Sequence, residues 1–142
     1  MKPSSLAIGG FYCSNPSANS FDLSCQAYID WKAEFTKVYR HFIPDEPPKS
    51  VLPIKIAILD TGIDMEHECI EEHAGSRPER VLGKNWLDEQ NSTDLRDPHG
   101  HGTHIAGIIL DLIPHSQIIV EKVTDGVVPD PRNLARVSLS NE

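Results

Sequence analysis

Long apolar runs are missing from this chain of 142 residues. None approaches the ~20 apolar residues that a helix needs to cross a bilayer, so no membrane partner is expected. Basic charge is also short. Thirteen Lys and Arg stand against twenty-one Asp and Glu, a formal net charge of −8, whereas nucleic-acid binders usually show a basic face. A nucleic-acid partner is therefore not expected. Cysteine is scarce: Cys13, Cys25 and Cys69 form an odd, widely spaced set that fits reduced, idle thiols inside a cell better than a disulfide frame. The opening Met1-Lys2-Pro3-Ser4-Ser5-Leu6-Ala7-Ile8-Gly9-Gly10 holds one lysine and three consecutive apolar residues. A secretory core needs roughly 7–15, so the chain reads as lacking a signal peptide and as cytoplasmic. There is no internal repeat.

What is present divides the chain at residue 50. Residues 1–19 are rich in Ser, Gly, Asn and Pro and read as loosely ordered. Ser20 can cap a helix, with Asp22 favourably placed against its dipole. Tyr28, Trp31, Phe35, Val38 and Phe42 then recur at spacings of three and four. They form one stripe of an amphipathic helix, expected to pack on its own domain, with a partner or propeptide-like interface as the alternative. Lys32, Glu34, Lys37 and Arg40 fall off the stripe and should be solvated. Pro44, Pro47 and Pro48 cannot continue a helix and make 44–50 a stiff linker. The domains are thus expected at 1–50, a helical segment with a Pro-rich linker, and 51–142, a second folded domain.

In the second domain, residues 53–60 are apolar apart from Lys55, Pro53 and the closing Asp60, as in a parallel strand buried on both faces. A short helical turn is expected at 66–73, a surface loop at Gly75–Arg80, a short strand at Val81–Leu87 and a polar loop at Leu87–Pro98. Ile105, Ile108, Ile109 and Leu112 sit at i, i+3, i+4 and i+7, predicting a helix at 101–112 that turns these residues to a sheet. Pro114 ends it, and a second strand follows at 117–123. Strand, helix and strand of this length imply a parallel crossover that buries Ile56, Ile58, Ile119 and Val123 with the helix isoleucines. Beyond Thr124, glycine and prolines break regular structure until the start of a further helix near the end.

The chemistry gathers at two stretches. Asp60-Thr61-Gly62-Ile63-Asp64 closes the first strand, and catalytic groups in open α/β sheets collect at such strand ends. Asp97-Pro98-His99-Gly100-His101-Gly102-Thr103-His104-Ile105-Ala106-Gly107 opens the helix. Asp60 is suited to orient an imidazole, and His101, at a helix amino end, is suited to stay neutral and act as a base. Gly100 and Gly102 leave space around that ring.

These two stretches resemble the aspartate and histidine blocks of the subtilisin-like serine peptidases, the subtilases, over roughly residues 52–124. The resemblance implies an α/β fold with a partial parallel sheet of the subtilisin type, flanking helices and a preceding amphipathic helix. It implies serine endopeptidase activity on protein or peptide substrates, with Asp60 and His101 as catalytic residues and His104 as a second, non-catalytic histidine. The family's nucleophile lies in a Gly-Thr-Ser-x-Ala-x-Pro block. Ser116, Ser138 and Ser140, the serines after residue 101, have no such setting. The expectation is a truncated product of a longer gene, inactive alone, for which a C-terminal half supplying the serine is a candidate partner. The alternatives are a non-catalytic binding module and one part of a two-chain enzyme.

Neither a cofactor nor a metal is expected. A zinc set of Asp60, Asp97, His99, His101 and His104 is the rival reading, but His101 and His104 are three apart, not the four of a zinc-protease helix. Many secreted subtilases hold calcium partly through an acidic residue nine positions after the catalytic aspartate. Cys69 stands there. His99 reads as a loop residue, and His67, His73 and His115 as solvated.

Overall fold

Isoleucine- and valine-rich runs make two of the three described strands, 54–60 and 116–122, as β-branched side chains suit a pleated, half-buried surface. The computed structural model describes residues 21–43, 52–126 and 128–139. In order it has α1 (Phe21–Phe42), β1 (Ile54–Asp60), α2 (Glu68–Ala74), a 3-10 turn (Pro78–Arg80), β2 (Val81–Asn85), α3 (His101–Leu112), β3 (Ser116–Lys122) and α4 (Pro131–Leu139). The chain divides into two compact units, Met1–Leu52 and Pro53–Glu142. The expectations for residues 1–20 and 44–50, for Ser140, and for the side chains of Asp22, Cys13 and Cys25 lie outside the described residues.

In the first unit, α1 carries a ladder of rings along one side. Tyr28 and Trp31 lie 6.0 Å apart between centroids, Trp31 and Phe35 5.5 Å, and Phe35 and Tyr39 6.2 Å. Aromatic pairs at these distances attract one another beyond simple burial. The stripe is only partly covered: Trp31 is 51% exposed and Phe42 76%. Among the described residues these rings stack on one another along the helix. Off the stripe, Glu34 and Lys37 pair at 2.5 Å while largely solvated, and Lys32 is half-buried.

In the second unit, the three strands form one parallel sheet in the order β1-β3-β2. The α/β class with a partial parallel sheet and flanking helices is as the sequence indicates. The expected parallel pairing of the first strand with the strand after the helix is present as well. α3 joins β2 to β3, and β3 inserts between the two earlier strands, so β1 is an edge. The core lies on one face, where Ile58, Val81, Ile118 and Val120 meet Ile63, Ile70, Ala106 and Leu110. This position corrects the expectation that 53–60 is buried on both faces. Ile58 is buried and Ile56 half-buried, whereas Ala57 and Leu59 are exposed, because alternate side chains of a strand point to opposite faces; Ile54 shares the face of Ile56 and Ile58 but is exposed at the start of the strand.

The expected face of α3 is also corrected. Gly102, Thr103, Ala106, Gly107 and Leu110 are its buried residues. Ile105, Ile108, Ile109 and Leu112 lie on the other side, half-buried, with Ile105 and Ile109 touching only the margin of the core. The cause is close approach. A Cβ on Gly102 would fall 2.2 Å from the Gly62 oxygen, and one on Gly107 2.8 Å from Cys69 Sγ. The helix lies too near its neighbours for its large side chains to face them.

One smaller correction follows from a buried polar anchor. The surface loop expected at Gly75–Arg80 contains the 3-10 turn, and Arg80 is buried, donating from Nε to the Ser116 oxygen at 3.1 Å and from an Nη to the His73 oxygen at 2.6 Å. A second apolar cluster joins Trp86, Val123 and Val137, with Leu134 against it, and so docks α4. Trp86 donates its indole N–H to Glu121, and Lys84 Nζ lies 3.9 Å above its ring, a favourable cation–aromatic contact.

Candidate functional site

Asp60 is the last residue of β1, and the turn after it depends on glycine. Gly62 has φ +122, a region that side chains disfavour, and a Cβ there would sit 2.3 Å from the Leu95 oxygen. Ile63 N donates to that oxygen at 2.7 Å, so the 87–98 loop is tied across the strand end. On the other side, Gly102 brings the first turn of α3 against the same turn. The two approaches leave the imidazole of His101 beside the carboxylate of Asp60, with Nδ1 2.8 Å from both Oδ1 and Oδ2.

The environments of the pair differ. The Asp60 side chain is 15% exposed and that of His101 is 67%. With a proton on Nδ1 donated to Asp60, the neutral ring presents Nε2 as a lone-pair acceptor on its outer side. A carboxylate in this position fixes the tautomer and stabilises the imidazolium formed when Nε2 takes a proton. The arrangement is suited to general-base chemistry at an exposed ring.

Sequence reasoning weighed Asp97 only as a metal ligand. Asp97 is instead the hub that holds the two stretches together. Its Oδ1 accepts from the Thr61 hydroxyl at 2.7 Å, Gly100 N at 2.9 Å and His99 N at 3.1 Å. Its Oδ2 accepts from Thr103 N at 2.9 Å and the Thr103 hydroxyl at 2.8 Å. Gly100 occupies the N-cap position of α3 at φ +77 and has no side chain to cap with. Asp97 supplies the missing cap from upstream, at the positive end of the helix dipole. Burial would raise its carboxyl pKa, but the donors from Thr103, Thr61 and Gly100 outweigh burial and hold it at about 2. The signal in the sequence was an aspartate four residues before the histidine, next to a proline, where a cap is not normally sought.

The remaining histidines separate. His99 is exposed and its ring lies over Gly126, where a Cβ would come within 2.4 Å of Nε2. His104 is exposed on α3. His67 caps α2, its Nδ1 accepting from Cys69 N at 3.3 Å. His73, expected to be solvated, is half-buried with Nε2 3.8 Å from Asp111 on α3, and His115 is half-buried as well. The rival zinc set does not assemble. Both oxygens of Asp97 face amide and hydroxyl donors, and among the described residues no three His, Cys, Asp or Glu side chains are grouped to hold a metal. Cys69 is buried, and burial pushes its thiol pKa up, as for an inert core cysteine.

Known proteins resemble this chain over its second unit. The subtilase family model matches residues 53–132, a span containing both Asp60 and His101. The chain is 31% identical over 84 residues to the major intracellular serine protease of Bacillus subtilis, covering 51% of this chain and 24% of that protein. It is 42% identical over 52 residues to subtilisin-like protease 6 of Trichophyton rubrum, covering 37% and 10%. To the putative subtilisin-like proteinase 1 of Encephalitozoon cuniculi it is 37% identical over 83 residues, covering 56% and 16%. The chain thus spans a quarter or less of the length of these relatives. No solved structure matches significantly. With more than half of its residues, and the whole of its parallel sheet, inside the matched span, the chain belongs to the subtilase family.

Proposed function

We propose that this chain supplies the orienting acid and the general base of a subtilisin-type serine endopeptidase. His101 takes the proton of a serine hydroxyl through Nε2, and Asp60 holds the ring through Nδ1. The serine then attacks the carbonyl of a protein or peptide substrate, and the same ring returns the proton to the leaving amine. One observation carries the reading: the 2.8 Å contact between His101 Nδ1 and the largely buried Asp60 carboxylate, with the ring itself exposed. No serine among the 142 residues stands in a Gly-Thr-Ser-x-Ala setting, so the nucleophile is contributed by a family segment outside them. The names of the Bacillus subtilis and Paenibacillus polymyxa relatives, both intracellular serine proteases, support a site of action inside the cell.

The test joins this chain, in one polypeptide or by co-expression, to a subtilase segment bearing the serine block. The expected result is hydrolysis of a peptide substrate and labelling of that serine by a fluorophosphonate probe. Both should fall by orders of magnitude in His101→Ala. The chain alone should show no labelling of Ser116, Ser138 or Ser140. Equal activity in His101→Ala would overturn the assignment. A folded but persistently inactive assembly would favour a binding module.

A further inference from the structure

We propose that Thr61 and Asp97 form a positioning unit that holds Asp60 and His101 in register. The proposal rests on the reading of Asp60 and His101 as the reacting pair, and it assigns a role to two residues that do not themselves meet the substrate.

The geometry converges on one hydroxyl. Thr61 Oγ1 lies 2.7 Å from Asp97 Oδ1 and 3.2 Å from Asp60 Oδ1. A hydroxyl has one proton to donate, and the shorter contact assigns it to Asp97. The oxygen then remains an acceptor for Gly102 N, 3.2 Å away, the amide next in sequence to His101. Thr61 therefore touches the loop before the helix, the first turn of the helix and, by its own backbone N–H at 2.7 Å, the Asp60 carboxylate. Asp97 completes the arrangement from the other side. It binds Thr103 through amide and hydroxyl, and Thr103 Oγ1 accepts from Asp64 N at 2.9 Å, which returns the connection to the strand-end turn.

This closed set explains why an exposed imidazole can keep a two-oxygen contact. His101 is itself mostly in solvent and has little packing to hold its ring. Its place is set by the backbone on which it sits. That backbone is fixed to the Asp60 turn by Thr61, Asp97 and Thr103. Charged groups near the ring are Asp60 against Nδ1 and Asp97 beneath the helix start. His99 and His104 flank it in sequence, His99 directed to Gly126.

The experiment is proton-detected NMR of the full 142-residue chain, labelled with nitrogen-15 at histidine. In the unaltered chain His101 should show a downfield Nδ1–H resonance protected from solvent, with Nδ1 as the protonated nitrogen of the neutral ring. Asp60→Asn tests the underlying pair and should abolish that signal. If the signal survives Asp60→Asn, the pair reading itself fails. Thr61→Val keeps shape and charge but removes the hydroxyl, and the Nδ1–H signal should broaden beyond detection although Asp60 remains. Thr61→Ser should restore it. Asp97→Asn, whose amide must turn a donor toward other donors, should lose it as Thr61→Val does. Retention of the signal in a folded Thr61→Val or Asp97→Asn chain, with loss in Asp60→Asn, would overturn the positioning role and leave the pair reading intact. Loss in Thr61→Ser would attribute the effect to the methyl group and overturn it also. Should Thr61→Val lose its dispersed amide spectrum, Asp97→Asn decides the matter.

Discussion

The two faces of the sheet are built from similar residues and live in different surroundings. On one face Ile58, Ile118, Val120 and Val81 are buried beneath α2 and α3. On the other, Ala57, Ile119 and Leu82 stand in register across all three strands. There Leu59 is 45% exposed and Leu82 48%. Parallel sheets are ordinarily covered on both sides. The difference teaches that an apolar strand sequence states what a strand can bury, while the elements stacked on it decide which half is buried.

The comparison breaks most visibly in the covered face. Ile118→Ala removes a wholly buried side chain from the central strand and should cost about 2–5 kcal/mol. The midpoint of urea unfolding reads this directly, and a shift no larger than that of an exposed-face variant would contradict the assignment of the core. Next in size are the joints that hold the site to that face. Gly102→Ala forces a methyl to within 2.2 Å of the Gly62 oxygen, an overpacking that should cost about 1–3 kcal/mol and separate His101 from Asp60, seen as loss of the His101 Nδ1–H signal.

Asp97→Asn should cost about 1.5–3 kcal/mol at neutral pH, the range for hydrogen bonds to a charged group. The pH dependence has a definite sign. A carboxyl lowered from 3.8 to about 2 by folding stabilises the chain fully above pH 3.8, and that contribution is lost as pH falls through about 2. The stability difference between the native chain and Asp97→Asn should therefore narrow from pH 4 to pH 2 in urea titrations. A constant difference would place the effect outside the carboxylate. The smallest change belongs to the open face: Leu82→Lys should move stability by no more than about 0.5 kcal/mol while raising solubility. A large loss there would mean that this face is covered.

Much of this was legible beforehand, and the misses share a cause. The strand at 54–60, the helix at 101–112 and the pair Asp60 and His101 all follow from local patterns: an apolar run, a three-and-four repeat and two short blocks. The face of α3 was misread because the repeat of Ile105, Ile108, Ile109 and Leu112 is the stronger apolar signal, yet Gly102, Ala106 and Gly107 determine how near the helix can come. The strand order was hidden because β3 pairs with partners far away in the chain, and neither periodicity nor composition encodes insertion between them. Asp97 was hidden because it acts on five donors spread from Thr61 to Thr103.

A cap drawn from four residues upstream also changes how the site comes apart. Were α3 closed by its own N-cap residue, its first turn could fray while the preceding loop stayed in place. Here the loop, the end of β1 and the helix start meet on one carboxylate, so loosening any of them unfastens the rest. Local opening in proteins proceeds in cooperative units of this sort. The amides of Gly100, Gly102 and Thr103 all donate to Asp97 or Thr61, so they should exchange with solvent together, which hydrogen exchange reads amide by amide.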